Sequence, residues 1–192
     1  MPRPGRAGVQ CVLALLLGLA CVLAAARPAA AAPGKWLKTR DGSCKVWDAD
    51  PLSGESLEWT GGCEDGKATG KGMLTWYLDG QPNGHYKGRL KAGHVVGKGT
   101  YVDHNGFRYQ GDMGDDGPDG VGVAEYPSGM RYIGEWKNGK QNGNGVLTWP
   151  EGDRFEGTFK NGKPNGKGVY VGTDGLRHEQ VWKNGKQVKP AK

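Results

Sequence analysis

Cys44 and Cys63 are the residues whose types and spacing support a covalent reaction most directly, oxidation to a disulfide. Closing a loop of that size contributes about 3 kcal/mol by the loop-closure estimate. A metal centre suits them poorly, because 18 residues separate the two thiols and His85, His94, His104 and His178 fall in no ligand pattern. Glu125, Glu135, Glu151 and Glu156 are carboxylates that could pair for acid and base work, yet their positions suit solvated turns and strand faces. The chain contains no Gly-x-Ser-x-Gly, His-Glu-x-x-His, P-loop or dinucleotide fingerprint. Gly-x-Gly recurs, but without a strand leading into a helix it does not indicate phosphate binding. The expectation is a protein without a catalytic centre, metal or cofactor.

Two other residue sets could bind rather than react. Lys137 and Lys140 flank one turn, Lys160 and Lys163 the next, and Lys183 and Lys186 the last, all at the same offsets. If hairpins stack with strands about 4.8 Å apart, these six lysines form a ladder with rungs roughly 10 Å apart. Such a ladder attracts anionic lipid at about 1 kcal/mol per residue near a charged surface. Equally, charged hairpin ends keep sheets from joining edge to edge. Arg108, Arg131, Arg154 and Arg177 recur at the opposite junctions. Charge is unevenly distributed: residues 131–192 hold 12 basic and 6 acidic side chains, whereas 103–130 hold one basic and six acidic. The second set is an aromatic stripe, Tyr86, Tyr109, Tyr132, Trp136, Phe155 and Phe159, which could stack on sugars or supply nearly all the core of a thin sheet.

The elements that position these residues begin after a leader. Arg3 and Arg6 precede an unbroken apolar run from Cys11 to Ala26, and no acidic residue occurs before Asp41. Residues 1–31 therefore read as a secretory signal peptide, the run of 16 being short for a membrane span of about 20. Without Arg3, Arg6 and Arg27, the 26 basic residues fall to 23 against 20 acidic, a charge of +3. Cys11 and Cys21 leave with the leader, so Cys44 and Cys63 remain as an even pair in an exported chain. The modest charge and the lack of an aromatic-basic sheet motif disfavour nucleic acid.

Thirty-six glycines and 11 prolines make up about a quarter of the chain, so folding depends on whether they are periodic. They are. Tyr86, Tyr109, Tyr132, Phe155 and His178 follow one another at intervals of 23 residues, while Trp59 lies 27 before Tyr86, a surplus of four near Gly80 to Gly84. The units are 59–85, 86–108, 109–131, 132–154 and 155–177, with a partial unit from 178. Within each, glycine recurs at offsets two, eleven and thirteen from the leading aromatic, and an apolar residue recurs at offset four. The alternation Tyr132, Gly134, Trp136 has the period of a strand. Runs such as Gly145-Val146-Leu147-Thr148-Trp149 form a second strand. Asn138-Gly139 and Asn161-Gly162 between them are hairpin turns, and the glycines facing a ring leave room for it to lie flat on the backbone. The predicted fold is all-β, an elongated single-layer antiparallel β-meander of stacked 23-residue hairpins.

The run Tyr132-Ile-Gly-Glu-Trp-Lys-Asn-Gly-Lys-Gln-Asn-Gly-Asn-Gly-Val-Leu-Thr-Trp closely resembles the MORN repeat, and five consecutive units carry the resemblance from residue 59 to about 186. It implies a β-meander scaffold, a family credited with binding phospholipid headgroups or partner proteins. The third unit departs from the pattern at Asp115-Asp116-Gly117-Pro118, where the loop glycine is displaced by one. The sixth lacks its glycine at Gln180 and is expected to have no second strand. The organisation expected is a signal peptide 1–31, an N-terminal cap 32–58, repeats 59–181 and a basic tail 182–192. The functional expectation is a non-enzymatic, exported repeat protein, periplasmic or secreted, acting as a structural or protein-interaction scaffold in a bacterial cell envelope. Its partner would be an envelope protein of unknown identity, an anionic membrane surface, or a second copy pairing through the exposed terminal strand. Binding of anionic phospholipid through the lysine ladder, and of glycan through the aromatic stripe, are the alternatives.

Overall fold

A computed structural model describes residues 34–188, so the leader at 1–31, the first two residues of the cap and the last four of the tail lie outside the described residues. Every regular element among them is a strand: β1 (Lys35–Lys38), β2 (Lys45–Asp48), β3 (Glu55–Trp59), β4 (Gly62–Glu64), β5 (Lys67–Leu78), β6 (Gln81–Lys91), β7 (His94–Asp103), β8 (Arg108–Gly114), β9 (Gly117–Glu125), β10 (Arg131–Lys137), β11 (Lys140–Thr148), β12 (Arg154–Lys160), β13 (Lys163–Val171), β14 (Arg177–Lys183) and β15 (Lys186–Val188). They form one open 15-stranded sheet in which β5 through β15 follow each other as antiparallel neighbours. The all-β meander expected from the period is the fold observed.

Turn chemistry explains the hairpins. Asn138 and Gly139 have φ of 47° and 72°, and Asn161 and Gly162 have 51° and 79°, the left-handed pair that a two-residue turn matched to strand twist requires. At offset eleven the glycine is needed for conformation, since Gly143 (φ 95°) lies where the register of β10 against β11 shifts between Gly134 and Trp136. At offsets two and thirteen it is needed for space. A Cβ on Gly134 would stand 2.6 Å from both the Gly145 Cα and the Tyr132 hydroxyl, so the ring of Tyr132 lies on glycine backbone from two strands.

Those rings are the core. Tyr86 and Tyr132 are 0% exposed, and Tyr109 and Phe155 are 1% exposed. Offset-four side chains of the same and the following unit pack edge-on against them. Tyr109 to Trp136 is 5.3 Å between centroids, Trp136 to Tyr132 5.2 Å, Tyr132 to Phe159 5.0 Å, Phe159 to Phe155 5.7 Å and Phe155 to Trp182 5.7 Å. Each unit completes its neighbour's core, which a single hairpin could not bury alone.

Three features add to the expectation or depart from it. The sixth unit does have a second strand, because Asn184-Gly185 (φ 52° and 79°) closes the same turn and β15 pairs with β14 over Val181 to Lys183. The surplus near residues 80–84 does not loop out. It lengthens β5 and β6, which pair through to Leu78 and Gln81 around the left-handed turn Asp79-Gly80. That extra length is matched by β3, which begins at Glu55 and pairs with β5 from Glu55↔Leu78 to Trp59↔Leu74. The segment before residue 59 is thus two things, an inner strand and a separate β1–β2 hairpin. The hairpin crosses the tips of the first two repeat hairpins, with Lys45 N–H donating to the Gly66 carbonyl and Trp47 N–H to the Gly93 carbonyl, both at 2.9 Å.

Candidate binding surfaces

Cys44 and Cys63 lie at disulfide distance, with Cα atoms 5.7 Å apart, joining the β1–β2 hairpin to β4. Cys44 is buried beside Val46, Leu57 and Ala68, so the link sits where the cap meets the first repeat.

The six ladder lysines do come together along one edge. Lys137 faces Lys140, Lys160 faces Lys163 and Lys183 faces Lys186 across their turns, all are exposed, and none forms an ion pair among the described residues. The rungs are tied. Gly139 N–H donates to the Pro118 carbonyl, Gly162 N–H to that of Gln141 and Gly185 N–H to that of Pro164, each at 2.9 Å, so every tip is bonded to the hairpin before it. Sequence reasoning missed this because the acceptors are carbonyls, which no residue type encodes. The repeat of glycine at offset seven was the available signal.

The third tip breaks the ladder. Asp115 and Asp116 occupy the positions of Asn and Gly, and the left-handed residue is Gly117 (φ 99°), which accounts for the displaced glycine. Asp115 turns back onto the preceding hairpin, accepting the Val95 N–H at 2.9 Å and pairing with His94 Nδ1 at 2.5 Å.

The junction arginines do not form a matching free ladder. Arg154 and Arg177 both bind Glu156, at 2.7 and 3.1 Å, and hold its carboxyl below the usual range. Glu135 takes the backbone and side-chain N–H groups of Asn144 at 2.8 and 3.0 Å, bracing the bulge. Asp112 is held low by Lys98 and by the Val121 N–H. These carboxylates are occupied structurally, and among the described residues no group of acidic, His or Cys side chains could hold a metal ion.

The aromatic stripe is spent on packing. Tyr109 and Tyr132 hydroxyls donate to the carbonyls of Asp112 and Glu135, at 2.9 and 3.1 Å, and burial pushes both phenols well above their ordinary value. Buried rings offer no face to a sugar. On the opposite face, by contrast, an open groove of about 620 Å³ is lined by Lys71, Lys87, Arg89 and Lys98 around Met73 and Val96. Lys71 and Lys98 share offset twelve of their units, whereas Lys87 and Arg89 stand at offsets one and three of a single unit.

Four segments of the chain, 59–77, 109–131, 132–154 and 155–177, match the MORN repeat family. The first match stops at Tyr77, where the lengthened β5–β6 end departs from the 23-residue frame. The unit 86–108 lies outside the matched segments, yet β6 and β7 pair there as the strands of the matched segments do, around a fully buried Tyr86. No curated protein matches the chain. Among solved structures, the SAS-4 (dCPAP) TCP domain in complex with a proline-rich motif of Ana2 (dSTIL) from Drosophila melanogaster is similar at 13% identity and a TM-score of 0.36, over 81% of this chain and 95% of that one.

Proposed function

We propose that the chain is a non-enzymatic MORN-repeat scaffold of an exported bacterial type, periplasmic or secreted, that holds a partner protein in the cell envelope. The observation that carries this reading is the tied row of hairpin tips. Backbone bonds fix each of the three lysine-bearing tips to the hairpin before it, so side chains on that edge keep a constant spacing, as holding a partner in register requires. Export is supported by the charged and apolar order of residues 3–26 and by a cysteine pair at disulfide distance. A second copy of the chain is a further candidate partner, because β15 covers β14 only from Val181 to Lys183 and the edge from Arg177 to Gln180 has no strand beside it among the described residues.

A second reading, peripheral binding of anionic phospholipid headgroups, is favoured by the three cross-strand lysine pairs without counter-ions. Co-sedimentation with neutral and anionic liposomes across a salt series separates the two. The scaffold reading expects no charge-dependent binding at low salt. Binding to anionic liposomes that falls with salt, and is lost when the six turn lysines become glutamine, would make lipid binding the function instead.

A further inference from the structure

A groove of about 380 Å³ opens on the ring face, between the loop after β2 and the third hairpin tip, within the size range of ligand-binding clefts. Its walls are aromatic and apolar, with Trp47, Trp76, Tyr101 and Met113 facing the space. Trp76 and Tyr101 stand edge to face at 6.1 Å. Four carboxylates line it as well, Asp48 and Asp50 from the cap side and Asp115 and Asp116 from the tip, against the single cation Lys140.

Two of these carboxylates are set in place. Asp48 accepts the Trp76 indole N–H at 3.0 Å, and Asp115 is held by the Val95 N–H and His94. Asp50 and Asp116 are exposed, and their carboxylates have no partner among the described residues. Neither acidic pair belongs to the repeat. One lies in the cap, and the other replaces the Asn-Gly of the regular tips. The groove is therefore a feature of this chain, assembled where the cap hairpin faces the one irregular turn.

We propose that this groove docks a basic, extended segment of a partner protein. Lysine or arginine heads would reach the four aspartates while their aliphatic stems lie along Trp76, Tyr101 and Met113. Charge complementarity decides the class, since a cationic head gains both the carboxylates and the ring faces. An acidic peptide or a phosphate meets four like charges at the same place. The proposal rests on the scaffold reading and names the chemistry of its partner. It uses the opposite charge from the lysine ladder, with which it shares Lys140 alone, so the two surfaces can fail separately.

The test is fluorescence anisotropy of the full chain with three labelled dodecapeptides in which alanine alternates with lysine, glutamine or glutamate. The lysine peptide is expected to bind at low salt about tenfold or more tighter than the glutamine peptide, with no binding of the glutamate one. The double variant Asp50→Asn, Asp116→Asn is expected to lose about tenfold in affinity with an unchanged melting temperature. Glu151→Gln with Glu179→Gln makes the same change in net charge elsewhere and is expected to leave binding intact. Replacing the five turn lysines that lie outside the groove, Lys137, Lys160, Lys163, Lys183 and Lys186, by glutamine should leave it intact too. Equal binding of lysine and glutamine peptides, no effect of the Asp50 and Asp116 changes, or an equal effect of the Glu151 and Glu179 control would each overturn the proposal. So would sedimentation showing self-association that the Asp50 and Asp116 variant abolishes, which would make a second copy the occupant. Loss of anionic-liposome binding in the lysine variant, by contrast, would overturn the scaffold reading and leave the groove's peptide selectivity to be read independently.

Discussion

Glycine serves two distinct physical purposes in this chain, and they predict different mutational costs. Gly143 is in the left-handed region, so a side chain there strains the backbone. Gly134 has ordinary strand geometry but no free volume, because Tyr132 and the Gly145 backbone fill the place of its side chain. Gly134→Ala is expected to destabilise the protein by about 1–3 kcal/mol through overpacking, measured by urea unfolding. Alanine on the open Gly162 turn position meets no atom, so its cost there is conformational alone. An unfolding midpoint for Gly134→Ala equal to that of the unaltered protein would show that the ring can slide, and that the close fit is not what selects glycine.

At the level of elements, the β1–β2 hairpin is the least integrated part of the sheet. Its regular pairing to β5 is a single parallel contact, Lys45↔Lys67, with further backbone bonds to Gly66 and Gly93 and one to Leu57. The Cys44 to Cys63 link closes a loop of 19 residues over this joint. Reduction, or Cys63→Ser, should lower stability by about 3 kcal/mol and should do so locally. Amide exchange is the measurement, with protection lost at Thr39, Cys44 and Val46 and kept in β10 to β13. Uniform loss across the sheet would mean that the cap and the repeats unfold as one unit.

For the whole molecule, stability comes from neighbour-to-neighbour packing, since each leading ring is closed over by the next unit's offset-four side chain. A complete internal unit should then be removable. Deleting residues 132–154 places Phe155 where Tyr132 stood, directly after Arg131, as Arg154 precedes it in the intact chain. The expected product is a folded sheet with a lower melting temperature, shorter by two strands, about 10 Å. Circular dichroism and small-angle scattering report both quantities. An unfolded or aggregated product would show that these units are not interchangeable.

Periodicity made the repeats legible, because a 23-residue frame with ring, glycine and turn residues at fixed offsets specifies strand alternation, hairpin turns and the ring-on-glycine stack locally. The lysine ladder followed from the same frame, since any residue at a repeated offset must recur along one edge. What the frame could not encode lies wherever the repeat is broken. The extended β5–β6 end, the pairing of β3 with it, the crossing of the cap over two hairpin tips and the meeting of Asp48 and Asp50 with Asp115 and Asp116 each join residues at unrelated offsets. Local sequence sets turns and alternation because those are short-range steric choices. The tertiary structure alone decides which irregular segments face each other, because that depends on twist, register and packing accumulated over many strands.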